Sequence, residues 1–237
     1  MPYYGFDWTY LVLVLPCMIF AMIASSNVNA TFQKYSSQYS RRRLTGAEAA
    51  RQVLVHNGVT GVRIERVAGN LTDHYDPRTN VIRLSDSVYS STSTAAIGVA
   101  AHEAGHAVQY ARNYAPIKLR AAIIPLTNFG SKLAMPLILA GILLAALGSF
   151  STLLIDLGIA AFGLSFVFQM VTLPVEFNAS RRAIRAIEEA EILTDEECRG
   201  AKKTLKAAAM TYVAATATAL AQLLRLIMLY GNRRRRD

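Results

Sequence analysis

The sequence predicts a mainly α-helical membrane protein, with three to four transmembrane helices and a small α+β portion in water. Of its 237 residues, 53% are hydrophobic, and the mean hydropathy is +0.27; both are high for a soluble protein. The apolar residues gather in several runs near the ~20 residues that a membrane-crossing helix needs. Short alternating segments rich in β-branched residues occur only in the polar stretch after the first of these runs.

The net charge of +9 is concentrated in short arginine runs beside the apolar segments. Charges that fix membrane orientation and contact anionic lipid headgroups are distributed in this way. No basic stripe interleaved with aromatic residues accompanies them, so no nucleic-acid partner is expected. The two cysteines lie in unlike surroundings, Cys17 in an apolar run and Cys198 in a charged segment. They predict neither a disulfide nor a cysteine-based metal site.

The first apolar run, residues 8–30, is expected to be an N-terminal transmembrane anchor. Asp7 precedes the run and three arginines follow it at 41–43. The positive-inside bias therefore places the chain after the anchor in the cytoplasm. A cleaved signal peptide is the alternative, because residues 28–30 (VNA) resemble a small-residue cleavage site. A signal peptide would carry its positive charge ahead of the run, which favours the anchor.

Residues 34–130 are expected to form a portion of the chain in water. Thr45 and Glu48 have the spacing of a capping box, in which each residue hydrogen-bonds the backbone N–H of the other. The helix that they open is predicted to end near Asn57-Gly58, where glycine can adopt the left-handed conformation.

Strands and a second helix follow in the same portion. Residues 62–67 and 81–85 alternate in the manner of strands, with a turn signal at 76–80 between them. We therefore predict two or three short strands. The Ser/Thr cluster at 90–94 is then expected to cap a helix over about 95–112.

Residues 133–175 are expected to form a transmembrane helical hairpin. The stretches 133–155 and 157–175 contain no charged residue, and each approaches the ~20 residues needed for a crossing. The turn is expected around residues 148–156, to within several residues. Asp156 separates the two stretches and is expected to lie near the turn, at the membrane interface.

Residues 176–206 are expected to form a further helix and a charged segment, followed by an apolar helix at 207–230. The path of this last helix remains open. If it crosses the membrane, the arginines at 233–236 lie outside, against the positive-inside bias; if it packs along the surface, the bias is kept. Four polar residues share one face of this helix: Thr211, Thr218, Gln222 and Arg225.

The segment HEAGH, residues 102–106, contains the residue pattern that most strongly indicates a metal site. His102 and His106 lie one helical turn apart, so both rings can reach one metal ion. Glu103 is placed to take a proton from a metal-held water rather than to bind the ion. Ala104 and Gly105 are small and leave room for close packing. The pattern also occurs by chance, but the apolar residues before it would bury these histidines, and buried imidazoles need a partner.

A catalytic zinc site takes three protein ligands and leaves one position open. No histidine follows His106 in the chain, so a carboxylate is expected as the third ligand. Glu176 is the best candidate, because two crossings of the predicted hairpin return the chain to the side that holds the histidines. Three rivals are more typical of a solvated helix face: Glu188, Glu189 and Glu191.

Four segments together resemble the YugP-type membrane zinc metallopeptidases, a prokaryotic family similar in outline to the HtpX and CAAX-prenyl protease group. The segments are LTDHYDPRTNVIRLS, GVAAHEAGHAVQ, LPVEFNASRRA and KAAAMTYVAATATALAQLLRL. The resemblance implies a gluzincin-like site in a multi-pass inner-membrane protein, with one Zn²⁺ ion and Glu176 as a ligand. In the HtpX-type pattern, an aspartate four residues after the glutamate orients a ligand histidine. Here Ser180 occupies that position with Asn178 nearby, so uncharged side chains are expected to support the ligands.

His74 is a candidate transition-state stabiliser, because a histidine can donate to the oxyanion of peptide hydrolysis. The alternative is a turn histidine that satisfies the neighbouring Asp73 and Asp76. The strand-bearing segment that contains it also matches the layout of zincins, in which an edge strand pairs with an extended peptide.

The expected function is a membrane-embedded zinc metalloendopeptidase whose active site lies at the cytoplasmic membrane face. Its expected partners are membrane lipids and a peptide or protein substrate; no oligomeric state is predicted. One alternative is a catalytically silent, zinc-stabilised membrane adaptor. The other is an intramembrane protease, which is disfavoured because the helix at 95–112 lacks ~18 continuous apolar residues.

Overall fold

The computed structural model describes residues 8–230, which fold mainly into helices around one small sheet. Asp7 and the arginines at 233–236, on which part of the orientation argument rests, lie outside the described residues. The elements in chain order are a π-helical turn (Tyr10–Val14), α1 (Leu15–Ser36), α2 (Gly46–His56), β1 (Arg63–Val67), β2 (His74–Asp76), β3 (Val81–Ser85), α3 (Asp86–Tyr89), α4 (Thr94–Ala111), α5 (Ala115–Leu143), a 3-10 turn (Ala145–Leu147), α6 (Ser149–Glu189) and α7 (Asp195–Tyr230).

Four helical stretches of the described chain are long and apolar enough to cross a membrane: Tyr10–Ser36, Ala115–Leu143, Ser149–Glu189 and Asp195–Tyr230. A three-stranded sheet lies between the first and second of them in sequence. The predicted class, a mainly α membrane protein with a small α+β portion, is therefore confirmed.

The chain divides into two compact units. One contains residues 8–23 and 212–230 of the described chain together with Leu119–Thr172. The other contains Ala24–Lys118 and Leu173–Thr211.

In the first unit, α5 and α6 pack closely at glycines. A Cβ at Gly158 would lie 2.8 Å from the carbonyl oxygen of Ala134, and one at Gly141 would lie 2.8 Å from that of Ser151. The Ser151 hydroxyl donates to the Gly141 carbonyl oxygen at 2.7 Å. Small residues are typical of helix contacts within membranes, because they let the two backbones approach.

The connection between α5 and α6 overlaps the beginning of the predicted segment, residues 148–156. The chain turns through residues 144–148, where Gly148 has φ +54°. Asp156 lies inside α6 and does not mark the turn. The turn occurs at Gly148, the first residue of the predicted segment, because glycine can adopt a left-handed backbone conformation.

The helices are also longer than the changes in composition indicated. α5 begins at Ala115, inside the stretch expected to lie in water, because its Lys118 and Arg120 do not interrupt the backbone hydrogen bonds. α6 continues without a break from the apolar run through Glu189, so residues 176–206 do not begin a separate helix. Likewise, α7 begins at Asp195 and not near residue 207.

The second unit holds the sheet, in the order β1-β3-β2. β1 pairs with β3 in parallel and β2 pairs with β3 antiparallel, which leaves β2 at an edge. The central strand contributes Ile82 and Leu84 to the core. The predicted strands at 62–67 and 81–85 are therefore confirmed, and β2 is the third.

The predicted helix caps of this unit are present. The Thr45 hydroxyl accepts from the Glu48 backbone N–H at 3.2 Å, and the Glu48 carboxylate accepts from the Thr45 N–H at 2.8 Å. α2 ends at the predicted place, where Gly58 has φ +67°. Ser93 caps α4 by accepting from the Ala96 N–H at 3.2 Å.

Small residues of α2, α4, α6 and α7 form the core of the second unit around β3. A Cβ at Gly98 of α4 would lie 3.2 Å from the Ala201 Cα of α7. On α6, Ala183 and Ile187 are fully buried in the same core. The side of α4 that carries HEAGH is therefore surrounded by closely packed helices.

The glycine contacts of α6 lead to a prediction about stability. Gly158→Ala should lower the thermal midpoint of the detergent-purified protein by an amount equivalent to about 1–3 kcal/mol, because the new methyl group meets the α5 backbone. Gly163→Ala is the matched control, since its Cβ would meet nothing within 4 Å. The control should keep or raise the midpoint. Equal midpoints for the two variants would contradict the packing described.

Candidate metal centre

The site begins with the close approach of α4 and α6 in the second unit. A Cβ at Gly105 would lie 2.6 Å from the carbonyl oxygen of Ala179, so only glycine fits at that position of α4. The expectation that the small residues of HEAGH allow close packing is confirmed. The neighbouring turns of the two helices therefore bring His102 and His106 of α4 close to Glu176 of α6.

Three of the predicted side chains meet at this contact. The Nε2 atom of His102 lies 3.2 Å from Glu176 Oε2, and the Nε2 atom of His106 lies 3.5 Å from the same oxygen. The two imidazole centroids are 4.7 Å apart, with their planes at 84°. One donor atom from each of the three residues lies within 4.8 Å of the other two.

The geometry of this group fits a zinc ion. Two ligands at ~2.1 Å from a tetrahedral ion are about 3.4 Å apart, close to the 3.2 and 3.5 Å observed. Two imidazole nitrogens and one carboxylate oxygen are also a donor set that zinc takes in catalytic sites. Glu176 is 2% exposed and His106 is 8% exposed, so a cation here would be held away from bulk water. The residues present therefore fit one such ion.

Gln109, one turn after His106, determines which imidazole nitrogen is available to a metal. The Gln109 amide NH₂ donates to the Val175 carbonyl oxygen at 2.8 Å and to Asn178 Oδ1 at 3.0 Å. Its oxygen therefore faces His106 Nδ1, at 3.0 Å. Because an amide oxygen only accepts, the proton of a neutral His106 lies on Nδ1 and the Nε2 lone pair is free to bind.

The two predicted supporting residues lie on α6, beside this group. The Ser180 hydroxyl lies 3.1 Å from His102 Nδ1, where it can accept a hydrogen bond from the Nδ1–H group. The Nε2 atom is then left for a metal. Asn178 supports His106 indirectly, through Gln109. Its Oδ1 accepts from Gln109 and, at 2.7 Å, from Arg182 Nε. The interaction with Arg182 sets the orientation of the Asn178 amide, which in turn orients Gln109.

Glu103 lies beside the ligand group without belonging to it. Its side chain is 8% exposed. Its charge helps to raise the pKa of two neighbours, His106 and Asp73. For His106, burial lowers the pKa, but hydrogen bonding to Glu176 and the charges of Glu103 and Glu176 raise it overall. A metal ion that binds His106 therefore competes with a proton.

Asp73, directly before β2, is hydrogen-bonded to Ser85 of β3 and interacts electrostatically with Glu103. Its carboxylate accepts from the Ser85 N–H at 2.7 Å and from the Ser85 hydroxyl at 2.9 Å. Burial raises the pKa of Asp73, the hydrogen bonds from Ser85 lower it, and the nearby charge of Glu103 raises it further. β2 also packs against α4, the helix that carries Glu103.

The remaining predicted residues lie apart from the three ligands. His74 is on the exposed side of β2, and its Nδ1 pairs with the Thr72 carbonyl oxygen at 2.9 Å. Its role as a transition-state stabiliser stays a prediction. Of the rival carboxylates, Glu188 pairs with Lys202, and Glu189 pairs with Arg185 and His56.

The comparisons with known proteins agree with this chemistry. Residues 10–231 match the family described as "Putative neutral zinc metallopeptidase". The chain belongs to this family. The protein "Putative membrane protease YugP" of Bacillus subtilis (strain 168) is 44% identical over 225 residues, which cover 95% of this chain and 98% of that protein. No solved structure matches the chain.

Membership in this family confirms the YugP-type resemblance. It also implies that the metal is zinc. The relative is named as a membrane protein, and four helices of the described chain are apolar and long enough to span. The chain is therefore a multi-pass membrane protein.

The sequence interpretation missed Gln109 and Asp73. A signal for Gln109 was present, since it is a polar residue three positions after His106 and on the same face of the helix. Asp73 carried no such signal, because its importance comes from the pairing of β2 with β3. Residues that orient ligands are recognised only once their neighbours are known.

The network around His106 leads to a prediction about metal affinity. Gln109→Leu should weaken zinc binding by about 10–100-fold, because nothing then holds the Nδ1 proton of His106. Competition with a chelator of known affinity measures this change. Gln52→Leu on α2 is the control and should bind zinc as the wild type does. Unchanged affinity in the Gln109 variant would contradict the orienting role.

Proposed function

We propose that the protein is a membrane-embedded zinc metalloendopeptidase with one zinc ion held by His102, His106 and Glu176. One observation carries the proposal: the three donor atoms have the mutual spacing of zinc ligands, while the adjacent carboxylate of Glu103 stays outside the group. Such an arrangement leaves a coordination position for water or substrate and supplies a base beside it.

When bound, zinc acts as a Lewis acid that acidifies water and polarises a carbonyl oxygen. Glu103 then takes the role of general base, accepting a proton from the attacking water and returning it to the leaving amine. Its position one residue after His102 keeps it next to the metal ligands, and its burial limits competing solvent. Gln109 holds His106 in the tautomer that leaves Nε2 for the metal, and the Ser180 hydroxyl can accept from His102 Nδ1 in the same tautomer.

The substrate is proposed to be a peptide or protein segment in extended conformation. β2 is an edge strand, paired on one side with β3 only. The main chain of an extended peptide can add to such an edge through backbone hydrogen bonds. Because β2 packs against α4, the helix that carries Glu103, a peptide paired with β2 would lie near the general base.

The site is proposed to face the cytoplasm, in a prokaryotic inner membrane. Arg181, Arg182 and Arg185 follow the apolar run of α6, and three more arginines at 41–43 follow the first helix. Positive residues gather on the cytoplasmic side of membrane segments. The helix α4 that carries HEAGH is not one of the four candidate spans in the described chain, so intramembrane proteolysis is not favoured.

Two substitutions separate metal binding from catalysis. Glu103→Gln should keep zinc but lower peptide cleavage by about 10²–10⁴-fold, because an amide cannot accept the proton. Glu176→Ala should lose zinc and activity together. Metal analysis and cleavage of an unfolded protein such as casein, with and without a chelator, measure both. Glu65→Gln on β1 is the control. Retained cleavage by Glu103→Gln would refute the mechanism, whereas a zinc-loaded wild type without activity would support the silent adaptor.

A labelling experiment tests the cytoplasmic orientation. In a chain with Cys17→Ser and Cys198→Ser, Lys203→Cys places one thiol at an exposed position of the second unit. A membrane-impermeant maleimide should label it in inside-out vesicles and not in intact spheroplasts. Detergent-solubilised protein serves as the control for full reactivity. Labelling in spheroplasts would place this unit on the opposite side.

A further inference from the structure

Two cavities adjoin each other in the second unit, away from the β2 edge. One is a groove of about 400 Å³ between α6 and α7. The other is a pocket of about 380 Å³ between α6 and the end of α2. Both are lined by Arg181 and Arg185, so they meet at these side chains. Their volumes are typical of sites for small ligands, ~300–1,000 Å³.

The groove has an apolar floor and a cationic rim. Its floor is formed by five residues: Phe177, Ile184, Leu205, Ala209 and Met210. At its rim, Lys202 is paired with Glu188. Arg181 and Lys206 are exposed and make no ion pair within the described residues.

The pocket is polar and positively charged. Arg181, Arg182 and Arg185 line it, and Glu189 is the one acidic residue among its lining side chains within the described chain. Glu189 accepts from Arg185 Nε at 2.7 Å and lies 2.9 Å from His56 Nε2. Three guanidinium groups against one carboxylate leave net positive charge, and guanidinium groups match phosphate oxygens in geometry.

The cations also have a consistent position along their helices. On α6 they follow the apolar run that ends near Val175, and on α7 Lys202 and Lys206 precede the apolar run at 207–230. Cations immediately flanking apolar helices lie at the level of lipid headgroups, where they attract anionic lipids. The apolar floor of the groove is built from the same turns of α6 and α7.

We propose that an anionic phospholipid binds here, with its phosphate at the three arginines of α6 and an acyl chain in the groove between α6 and α7. Both features of this ligand are needed, since the pocket matches an anion and the groove matches a hydrocarbon chain. The groove is lined by Ser180, which contacts His102 Nδ1, whereas the Nε2 atom of His102 faces Glu176. The lipid site is therefore behind the ligand histidine, on the side away from the metal-binding atoms.

Binding to the full-length, zinc-loaded protein in neutral detergent tests the proposal. The probes are dioctanoyl phosphatidylglycerol, dioctanoyl phosphatidylcholine and glycerol phosphate, with bound molecules counted by native mass spectrometry and affinities measured by calorimetry. We expect one phosphatidylglycerol per chain, bound more tightly than either other probe. The phosphatidylcholine arm tests the headgroup charge, and the glycerol phosphate arm tests the acyl chain.

Variants locate the bound lipid. The pair Arg181→Gln and Lys206→Gln should weaken phosphatidylglycerol binding by roughly 30-fold, because each removes one cation near the headgroup. The matched control pair, Arg51→Gln and Lys203→Gln, removes the same charge from exposed positions outside both cavities. It should bind the lipid as the wild type does. Met210→Trp fills the groove and should weaken lipid binding while glycerol phosphate binding stays unchanged.

The proposal fails if phosphatidylcholine or glycerol phosphate binds as tightly as phosphatidylglycerol to the wild type. It also fails if the two charge-removing pairs weaken binding equally, since the attraction is then general and not local. The wild-type comparison needs no variant, so it decides the question even where a variant does not fold. None of these readouts depends on peptide cleavage.

Discussion

The approach of α4 to α6 at Gly105 is the constraint on which the rest of the site depends. With Ala179 O placed 2.6 Å from where a Cβ would lie, the two helix backbones touch. Three side chains within one turn of this contact, those of His102, His106 and Glu176, are then close enough to share a single ion. Any larger residue at this position would separate His106 from Glu176 by more than the 3.5 Å at which they lie. The space between the helices thus sets which metal the site can hold, because zinc requires short and nearly fixed distances.

Contact between α4 and α6 brings the donor atoms together, and hydrogen bonds orient the two imidazole rings. Each imidazole directs Nε2 to Glu176 and Nδ1 to a partner, Ser180 for His102 and Gln109 for His106. Both partners are uncharged, so no carboxylate further raises the basicity of the ligands. What the site has instead is a connected chain from Arg182 through Asn178 to Gln109. In this chain each amide can adopt only one orientation.

Local patterns in the sequence predicted much of this structure, and features that depend on distant residues were predicted less well. The capping box at Thr45 and the cap at Ser93 involve neighbours in the chain, and both are present. The strands were visible in residue alternation. The turn before α6 includes Gly148, the first residue of the predicted segment, whereas Asp156 lies within α6, because a helix tolerates a charged side chain and a turn needs a particular backbone conformation. Glu176 was predicted from the expected return of the chain, but Asp73 depends on strand pairing that no local pattern reveals.

The separate role of Glu103 follows from helix geometry rather than from any special contact. Successive residues of an α-helix are rotated by about 100°, so the side chain directly after His102 points in a different direction from His102. His106, one turn later, points in nearly the same direction as His102. Glu103 is therefore directed to one side of the ion's position, near the beginning of β2, where its charge raises the pKa of Asp73. In the proposed mechanism, a base on this side of α4 serves a peptide that pairs with the unpaired edge of β2. HEAGH thus directs its two histidines and Glu103 in different directions from one helix, as the proposed division between metal binding and proton transfer requires.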